Sequence, residues 1–93
     1  MRNKTFREVN YLKRYRLLFG YSQKEIARKL GIDSTTIIGR WEQGEAYPDL
    51  KNLLKLSIIY KTLIEQLYYE LRISIIRDLE LKDKKDIREA NPP

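Results

Sequence analysis

The sequence predicts an all-α protein, with a five-helix domain over residues 1–69 and a helical C-terminal extension over residues 70–93. Two observations predict this fold class. Apolar residues recur at helical spacing along most of the chain. A hydroxyl residue also stands three positions before a glutamate at three places, Thr5–Glu8, Ser22–Glu25 and Thr62–Glu65, a pattern typical of helix starts. A chain of 93 residues is long enough for one modest core.

Glycines end the first two predicted helices. The first helix should run from Phe6 to Phe19 and end at Gly20, with five residues facing inward: Phe6, Val9, Leu12, Tyr15 and Phe19. The second is short, from Gln23 to Leu30, and ends at Gly31. Its inward residues should be Ile26, Ala27 and Leu30.

A helix cap predicts the start of the fourth helix, and a long stretch without glycine or proline predicts the fifth. Asp49 follows Pro48 and should cap a fourth helix that ends near Tyr60 and buries Leu50, Leu53, Leu54 and Ile58. From Thr62 to Asn91 there is neither Gly nor Pro, so a long fifth helix is predicted, with a stripe of Ile64, Leu67, Tyr68, Leu71, Ile75 and Leu79. Within it, LRISIIRDLEL (residues 71–81) also alternates like a strand, so both helix and strand stay open there. The charged end KDKKDIREANPP is expected to fray.

The stretch GIDSTTIIGRWEQG, residues 31–44, should contain the third helix, beginning at Ser34 or Thr35. Two short helices joined by a tight glycine turn form a helix-turn-helix unit, here about residues 22–43. Ile32, Ile38 and Trp41 should fill the interior beneath it. The outer face is then left with small polar residues and one arginine: Ser34, Thr35, Thr36, Gly39 and Arg40. Small side chains let a helix approach a DNA groove closely, and an arginine reaches base edges or phosphates.

Composition narrows the classes of function. The net charge is +6, and residues 1–31 hold nine basic residues against two acidic ones, which suits a phosphate backbone, although solubility alone also explains it. The chain has no cysteine and no histidine, which removes thiolate nucleophiles, histidine acid-base chemistry and almost every zinc geometry. No nucleophile-base pair, metal cluster or phosphate loop is visible. We therefore predict that the protein is not an enzyme and uses no cofactor or metal.

The residues LKRYRLLFGYSQKEIARKLGIDSTTIIGRWEQGEAYPDLKNLLKLSIIYKTLIEQLY resemble the phage-repressor-like helix-turn-helix DNA-binding proteins (Cro and cI type, also called XRE-like). The S-Q-x-E-I-A opening, the L-G turn, the R-W-E-x-G close and the P-D-L helix start occur in family order. The resemblance implies a lambda-repressor-like domain, a third helix in the DNA major groove, and transcription regulation, typically as a repressor. One extra residue between Gly31 and Glu42, as in a subgroup with an enlarged turn, leaves open which of Ser34, Thr35 and Thr36 points at bases.

The resemblance also implies roles for particular residues. Ser22 and Gln23 match positions that contact phosphates. Thr35, Thr36 and Arg40 match base-reading positions, while Tyr47 and Lys51 lie where the family meets the DNA backbone again. Arg16 and Glu42 match an internal pair. Other interpretations stay open: Gln23 as an ordinary helix residue, Arg40 stacked on Trp41 or bonded to a carboxylate, and Tyr47 packed on the fourth helix.

The expected partner is double-stranded DNA, bound by a homodimer whose apolar stripe after Leu67 is covered by a second copy. The sequence identifies no small-molecule effector. No apolar run approaches the ~20 residues of a membrane span, and MRNKTFREVN lacks the apolar region of a signal peptide. We therefore expect no membrane association and a cytoplasmic location, at the nucleoid through DNA binding. The alternative is a protein-interaction, adaptor or antitoxin module with the same fold, in which DNA contact is secondary.

Overall fold

The computed structural model describes the backbone of residues 8–90 and side chains through residue 82. Within this range all regular structure is helical: α1 (Leu12–Leu18), α2 (Gln23–Leu30), α3 (Thr35–Glu42), α4 (Leu50–Ile59), α5 (Ile64–Leu67) and α6 (Tyr69–Ala90). The predicted all-α fold with a C-terminal helix is confirmed. Residues 71–81 are helical, and α6 continues to Ala90, into the charged end that was expected to fray.

A single hydrophobic core joins the helices. Its buried members come from α1 to α5 and from the residues that follow α4 and α5: Leu12, Ile26, Ala27, Leu30, Ile38, Trp41, Leu56, Tyr60, Leu67 and Tyr68. Ile32 and Ile37 are partly buried against it. The predicted inward residues of α2 and α3 are therefore confirmed.

Local capping explains why α2 and α3 begin where the sequence predicts. The Ser22 hydroxyl accepts a hydrogen bond from the Glu25 backbone N–H (3.0 Å), and the Glu25 carboxylate accepts one from the Ser22 backbone N–H (2.8 Å). The Ser34 hydroxyl accepts the Thr36 backbone N–H at 3.1 Å. Gly31 ends α2 with a φ of 75°, in the left-handed region that glycine adopts without a steric penalty.

The prediction that the first helix starts at Phe6 was wrong, because α1 begins at Leu12. Glu8 does not cap a helix. Its backbone N–H donates to the Gly44 carbonyl (3.2 Å), and its carboxylate accepts the Tyr47 hydroxyl (2.7 Å). These long-range bonds hold the chain extended where the local pattern favours a helix. Thr5 and Phe6 lie outside the described residues.

Asn10 then sets the start of α1. Its Oδ1 accepts the Leu12 backbone N–H at 3.0 Å, and its Nδ2 donates to the Trp41 carbonyl at 2.9 Å. Val9, which was expected to face inward, is 56% exposed, whereas Phe19 is 37% exposed and stacks its ring on Tyr21 and on the core residue Tyr60. The α1 start is therefore fixed by contacts to α3 and to the loop that follows it.

The predicted inward face of α4 was wrong for three of its four residues. Leu50 and Ile58 are 70% and 74% exposed, and Leu54 is 47% exposed. The residues that reach the core are Leu56 and Tyr60, with Leu53 partly buried. Six of the ten residues of α4 are aliphatic, so helical periodicity alone did not determine which face packs inward.

The predicted long fifth helix is broken at Tyr68, whose φ of −124° and ψ of 50° separate α5 from α6. The Thr62 hydroxyl does not cap α5: it donates to the Tyr15 hydroxyl (3.3 Å), and Leu63 takes the N-cap position. The break divides the predicted apolar stripe. Leu67 and Tyr68 belong to the core, Leu71 is partly buried, and the stripe continues on α6 as exposed side chains, Ile75 and Leu79.

Candidate nucleic-acid interface

A buried hydrogen-bond network holds α1, α2 and α3 together. Arg16 donates from Nε to Glu42 Oε2 (2.6 Å) and from Nη2 to Glu42 Oε1 (3.1 Å), and its Nη1 donates to the Tyr21 carbonyl (3.0 Å). The bond to Glu42 raises the pKa of Arg16 above its usual value, so the guanidinium stays charged. The predicted internal Arg16–Glu42 pair is confirmed.

Gln23 joins the same network, which the sequence did not predict. Its Nε2 donates to Glu42 Oε1 at 3.1 Å, so the side chain lies between the start of α2 and the inner side of α3. Gly39 lies opposite: a Cβ built on it would stand 3.5 Å from Gln23 Nε2. Gly39 is therefore at the α2–α3 crossing as well as near the outer face of α3.

The outer face of α3 presents a short row of polar side chains. Thr36, Arg40 and Gln43 are exposed and recur at intervals of four and three residues, which places them on one line of the helix. Ile38 and Trp41 are buried beneath them, 2% and 4% exposed. Sequence reasoning missed Gln43, although its spacing of seven residues from Thr36 was a signal for it.

Thr35 and Ser34 occupy the start of α3. Both are exposed, and the Ser34 hydroxyl is the N-cap acceptor described above. Ser34 therefore has a structural role as the cap. The exposed Thr35 and Thr36 remain to present hydroxyls at the N-terminal end of the polar row.

Arg40 has a carboxylate neighbour in the free protein. Its Nε lies 3.7 Å from Glu45 Oε1, and its side chain is about half exposed. The indole of Trp41 is buried in the core. Arg40 therefore contacts a carboxylate, one of the two alternatives to DNA contact that the sequence left open. At 3.7 Å on the surface, the ion pair with Glu45 is weak, and breaking it to bind DNA costs little free energy.

Tyr47 and Lys51 flank the start of α4. The Tyr47 hydroxyl donates a hydrogen bond to the Glu8 carboxylate, and this bond raises the pKa of Tyr47. The Tyr47 ring packs at a tilt against the Tyr68 ring, with 5.8 Å between the ring centroids. Lys51 is exposed in the first turn of α4. The two residues are thus placed differently: Tyr47 is engaged with the N-terminal segment, while the Lys51 ammonium points to solvent.

Other kinds of site find no support in the described part of the chain. Those residues include no group of three or more His, Cys, Asp or Glu that would hold a metal ion. Among the helices described, none combines the length and apolar character that a membrane span needs.

The chain matches known proteins over the same helices. A family model described as Helix-turn-helix matches residues 12–67, from the start of α1 to the end of α5. A protein of Methanocaldococcus jannaschii named as an uncharacterized HTH-type transcriptional regulator is 37% identical over 59 residues, which cover 63% of this chain and 88% of that protein. The chain belongs to the XRE-like helix-turn-helix family of DNA-binding regulators.

Proposed function

We propose that the protein binds specific sequences in double-stranded DNA and regulates transcription by placing α3 in the major groove. The observation that carries this proposal is the exposed row of Thr36, Arg40 and Gln43 on a helix whose opposite side is fixed by Ile38 and Trp41. The major groove, about 12 Å wide, admits one α-helix. A helix anchored in the core on one side and polar on the other can read base edges without reorganising the fold.

Each side chain of the row has a role that matches its chemistry. Arg40 donates two hydrogen bonds to guanine O6 and N7, and Gln43 suits adenine N6 and N7. Thr35 and Thr36 offer hydroxyls and methyl groups at the N-terminal end of α3. Gly39 adds no side chain beside Arg40 and so lets α3 approach the bases closely.

Phosphate contacts orient the unit on the duplex. Ser22 and Gln23 stand at the start of α2, where backbone N–H groups lack acceptors within the helix and favour an anion. The Gln23 amide has two N–H donors, so it can keep its bond to Glu42 and give the second to a phosphate. Lys51 extends the contacts beyond α3, Tyr47 joins them by exchanging its hydrogen bond to Glu8 for one to a phosphate, and Ser34 supports them as the α3 cap.

The α5–α6 surface supports a homodimer. A groove there of about 250 Å³ is lined almost entirely by apolar atoms, including side chains of Ile64, Leu71, Ile75 and Ile76. A second copy packed on this groove and on Leu79 would remove these side chains from water. A twofold dimer would then present two α3 helices to half-sites about one DNA turn, ~34 Å, apart.

The chemistry of α3 favours DNA over the adaptor alternative. A face built to bind another protein would tolerate acidic or large apolar side chains, whereas this one has hydroxyls, a glycine, an amide and an arginine. Bound to chromosomal DNA, the protein would act in the cytoplasm at the nucleoid.

Selection of binding sites from random double-stranded DNA tests the proposal. We expect enrichment of a sequence with a guanine in each of two half-sites, and affinity that falls as salt rises, because phosphate contacts release counterions. Recovery of no preferred sequence at both low and physiological salt would contradict sequence-specific binding.

A further inference from the structure

Helix α4 carries an uncovered row of aliphatic side chains. Leu50, Leu54 and Ile58 are spaced four residues apart, which aligns them along one side of the helix, and they are 70%, 47% and 74% exposed. We call these three residues the α4 stripe. Buried Leu56 and Tyr60 fix the opposite side of α4, so the stripe cannot turn inward.

Lysines flank the α4 stripe. Lys51, Lys55 and Lys61 belong to α4 or follow it directly, and the only carboxylate between residues 46 and 64 is Asp49. Asp49 is the N-cap of α4, and its Oδ1 accepts a hydrogen bond from Asn52 Nδ2 at 2.6 Å. The surroundings of the stripe are therefore cationic.

One end of the stripe forms an open cavity of about 380 Å³. It is lined by Ile58 and Ile59 and by two lysines, Lys29 and Lys55. The ammonium of Lys55 donates to the Leu30 carbonyl at 3.4 Å, and that of Lys29 lies 4.9 Å from the centre of the Tyr21 ring. Neither ammonium forms an ion pair with a carboxylate in the part of the chain that the structure describes. The cavity thus places the apolar side chains of Ile58 and Ile59 beside two ammonium groups that contact the domain itself.

We propose that the α4 stripe is a docking surface for an acidic amphipathic helix of a partner protein. Such a helix would lay its apolar side chains on Leu50, Leu54 and Ile58 and place carboxylates near Lys55 and Lys29. This combination of an apolar strip and complementary charge is the helix-in-groove mode of recognition.

Two features distinguish this partner from other occupants. A second copy of the same face would bring the lysines of the two α4 helices together, and like charges in one interface oppose association. The stripe also spans only about 12 Å of helix at 1.5 Å per residue. Two turns of one helix make a small contact, which suits a transient interaction steered by charge.

The test uses a fluorescently labelled helical peptide with leucines on one face and glutamates on both flanks. A matched peptide carries glutamine at every glutamate position. By fluorescence anisotropy at low salt, the wild-type chain is expected to bind the glutamate peptide at least ~10-fold more tightly than the glutamine peptide, and added salt should reduce the difference.

Protein variants locate the contact. A Leu54→Ser, Ile58→Ser double variant should lose at least ~10-fold in affinity for the glutamate peptide, because it removes two exposed apolar side chains without touching the core. Leu18→Ser, which makes the same kind of change at an exposed leucine of α1, is the control and should bind the peptide as the wild type does. DNA affinity of the double variant should be unchanged, which separates this surface from the α3 interface.

Three binding results, or evidence of a different occupant, would overturn the proposal. The binding results are failure of the wild type to bind either peptide, equal binding of both peptides, and equal binding of the glutamate peptide by the wild type and the double variant. Two further results would identify a different occupant: a halved mass of the double variant in sedimentation would indicate a second copy, and tighter binding to anionic lipid vesicles than to the peptide would indicate a membrane surface.

Discussion

At the scale of single residues, the position of α3 depends on Glu42. Its carboxylate accepts hydrogen bonds from Arg16 and Gln23 and is almost completely buried. Resemblance to a known family predicted the bond to Arg16. The bond to Gln23 was not predicted, because it joins residues 19 apart whose distance depends on the α2–α3 crossing. Gln43 went unnoticed for a different reason: it lies within the predicted helix-turn-helix unit of about residues 22–43, but the outer face was assigned only from Ser34 to Arg40.

Arg16→Ala should destabilise the protein by about 1 to 4 kcal/mol, because it leaves a buried carboxylate without its charged partner. Urea denaturation followed by Trp41 fluorescence measures the loss. Lys13→Ala, an exposed position on the same helix, is the control and should stay near the wild type. If both variants unfolded at the same urea concentration, the Arg16–Glu42 pair would contribute nothing to stability.

At the scale of helices, α2 was predicted correctly from its local start and stop signals. The Ser22–Glu25 capping box and Gly31 define α2 through contacts a few residues apart, which a sequence displays directly. The α1 start and the α4 face depend instead on distant partners. The same hydroxyl-x-x-glutamate pattern that caps α2 does not cap a helix at Glu8, because Gly44 and Tyr47 engage that residue.

Gly44→Ala should destabilise the protein more than Gly31→Ala. Both glycines have positive φ, 77° and 75°, so both substitutions carry the conformational cost of about 1–2 kcal/mol. A methyl group at position 44 would in addition overlap the backbone of Glu8, whereas nothing lies within 4 Å of one at position 31. Urea denaturation of the two variants gives the difference. Equal losses would mean that the 8–44 contact is absent in solution.

The capping box predicts a pH dependence of stability. The backbone N–H and hydroxyl of Ser22 bond to Glu25 and lower the pKa of its carboxyl. A lowered pKa in the folded state stabilises the protein above the unfolded pKa of about 4.3, and this contribution is lost as the pH falls through the folded value. Glu25→Gln should therefore flatten the decline in melting temperature between about pH 5 and pH 3. A decline as steep as that of the wild type would contradict this role.

At the scale of the whole molecule, α6 extends the family domain by a helix of 22 residues. At 1.5 Å per residue it is about 33 Å long. Ile75 and Leu79 are half-exposed on it, 47% and 54%. The sequence predicted an uncovered stripe here, but Leu67 and Tyr68 turned out to belong to the core, because the bend at Tyr68 redirects the chain.

Ile75→Asp should convert the proposed dimer to a monomer, because it puts a charge into the apolar α5–α6 groove. Sedimentation equilibrium at tens of micromolar measures the mass. Leu81→Asp makes the same chemical change at a position 63% exposed and outside the groove, and should leave the mass unchanged. A wild type that is monomeric both free and on DNA would refute the dimer.

The central claim is that Arg40 reads a base from the major groove. The most direct test is to titrate Arg40→Ala with the selected site and with a scrambled duplex, each at two salt concentrations. The variant should lose about 1–3 kcal/mol on the selected site, lose little on the scrambled duplex, and relax the preference at one base pair. Lys51→Ala, at a proposed phosphate contact, should weaken both duplexes about equally and is the comparison. If Arg40→Ala also weakened both duplexes equally, Arg40 would be a phosphate contact, and if it weakened neither, α3 would not lie in the groove.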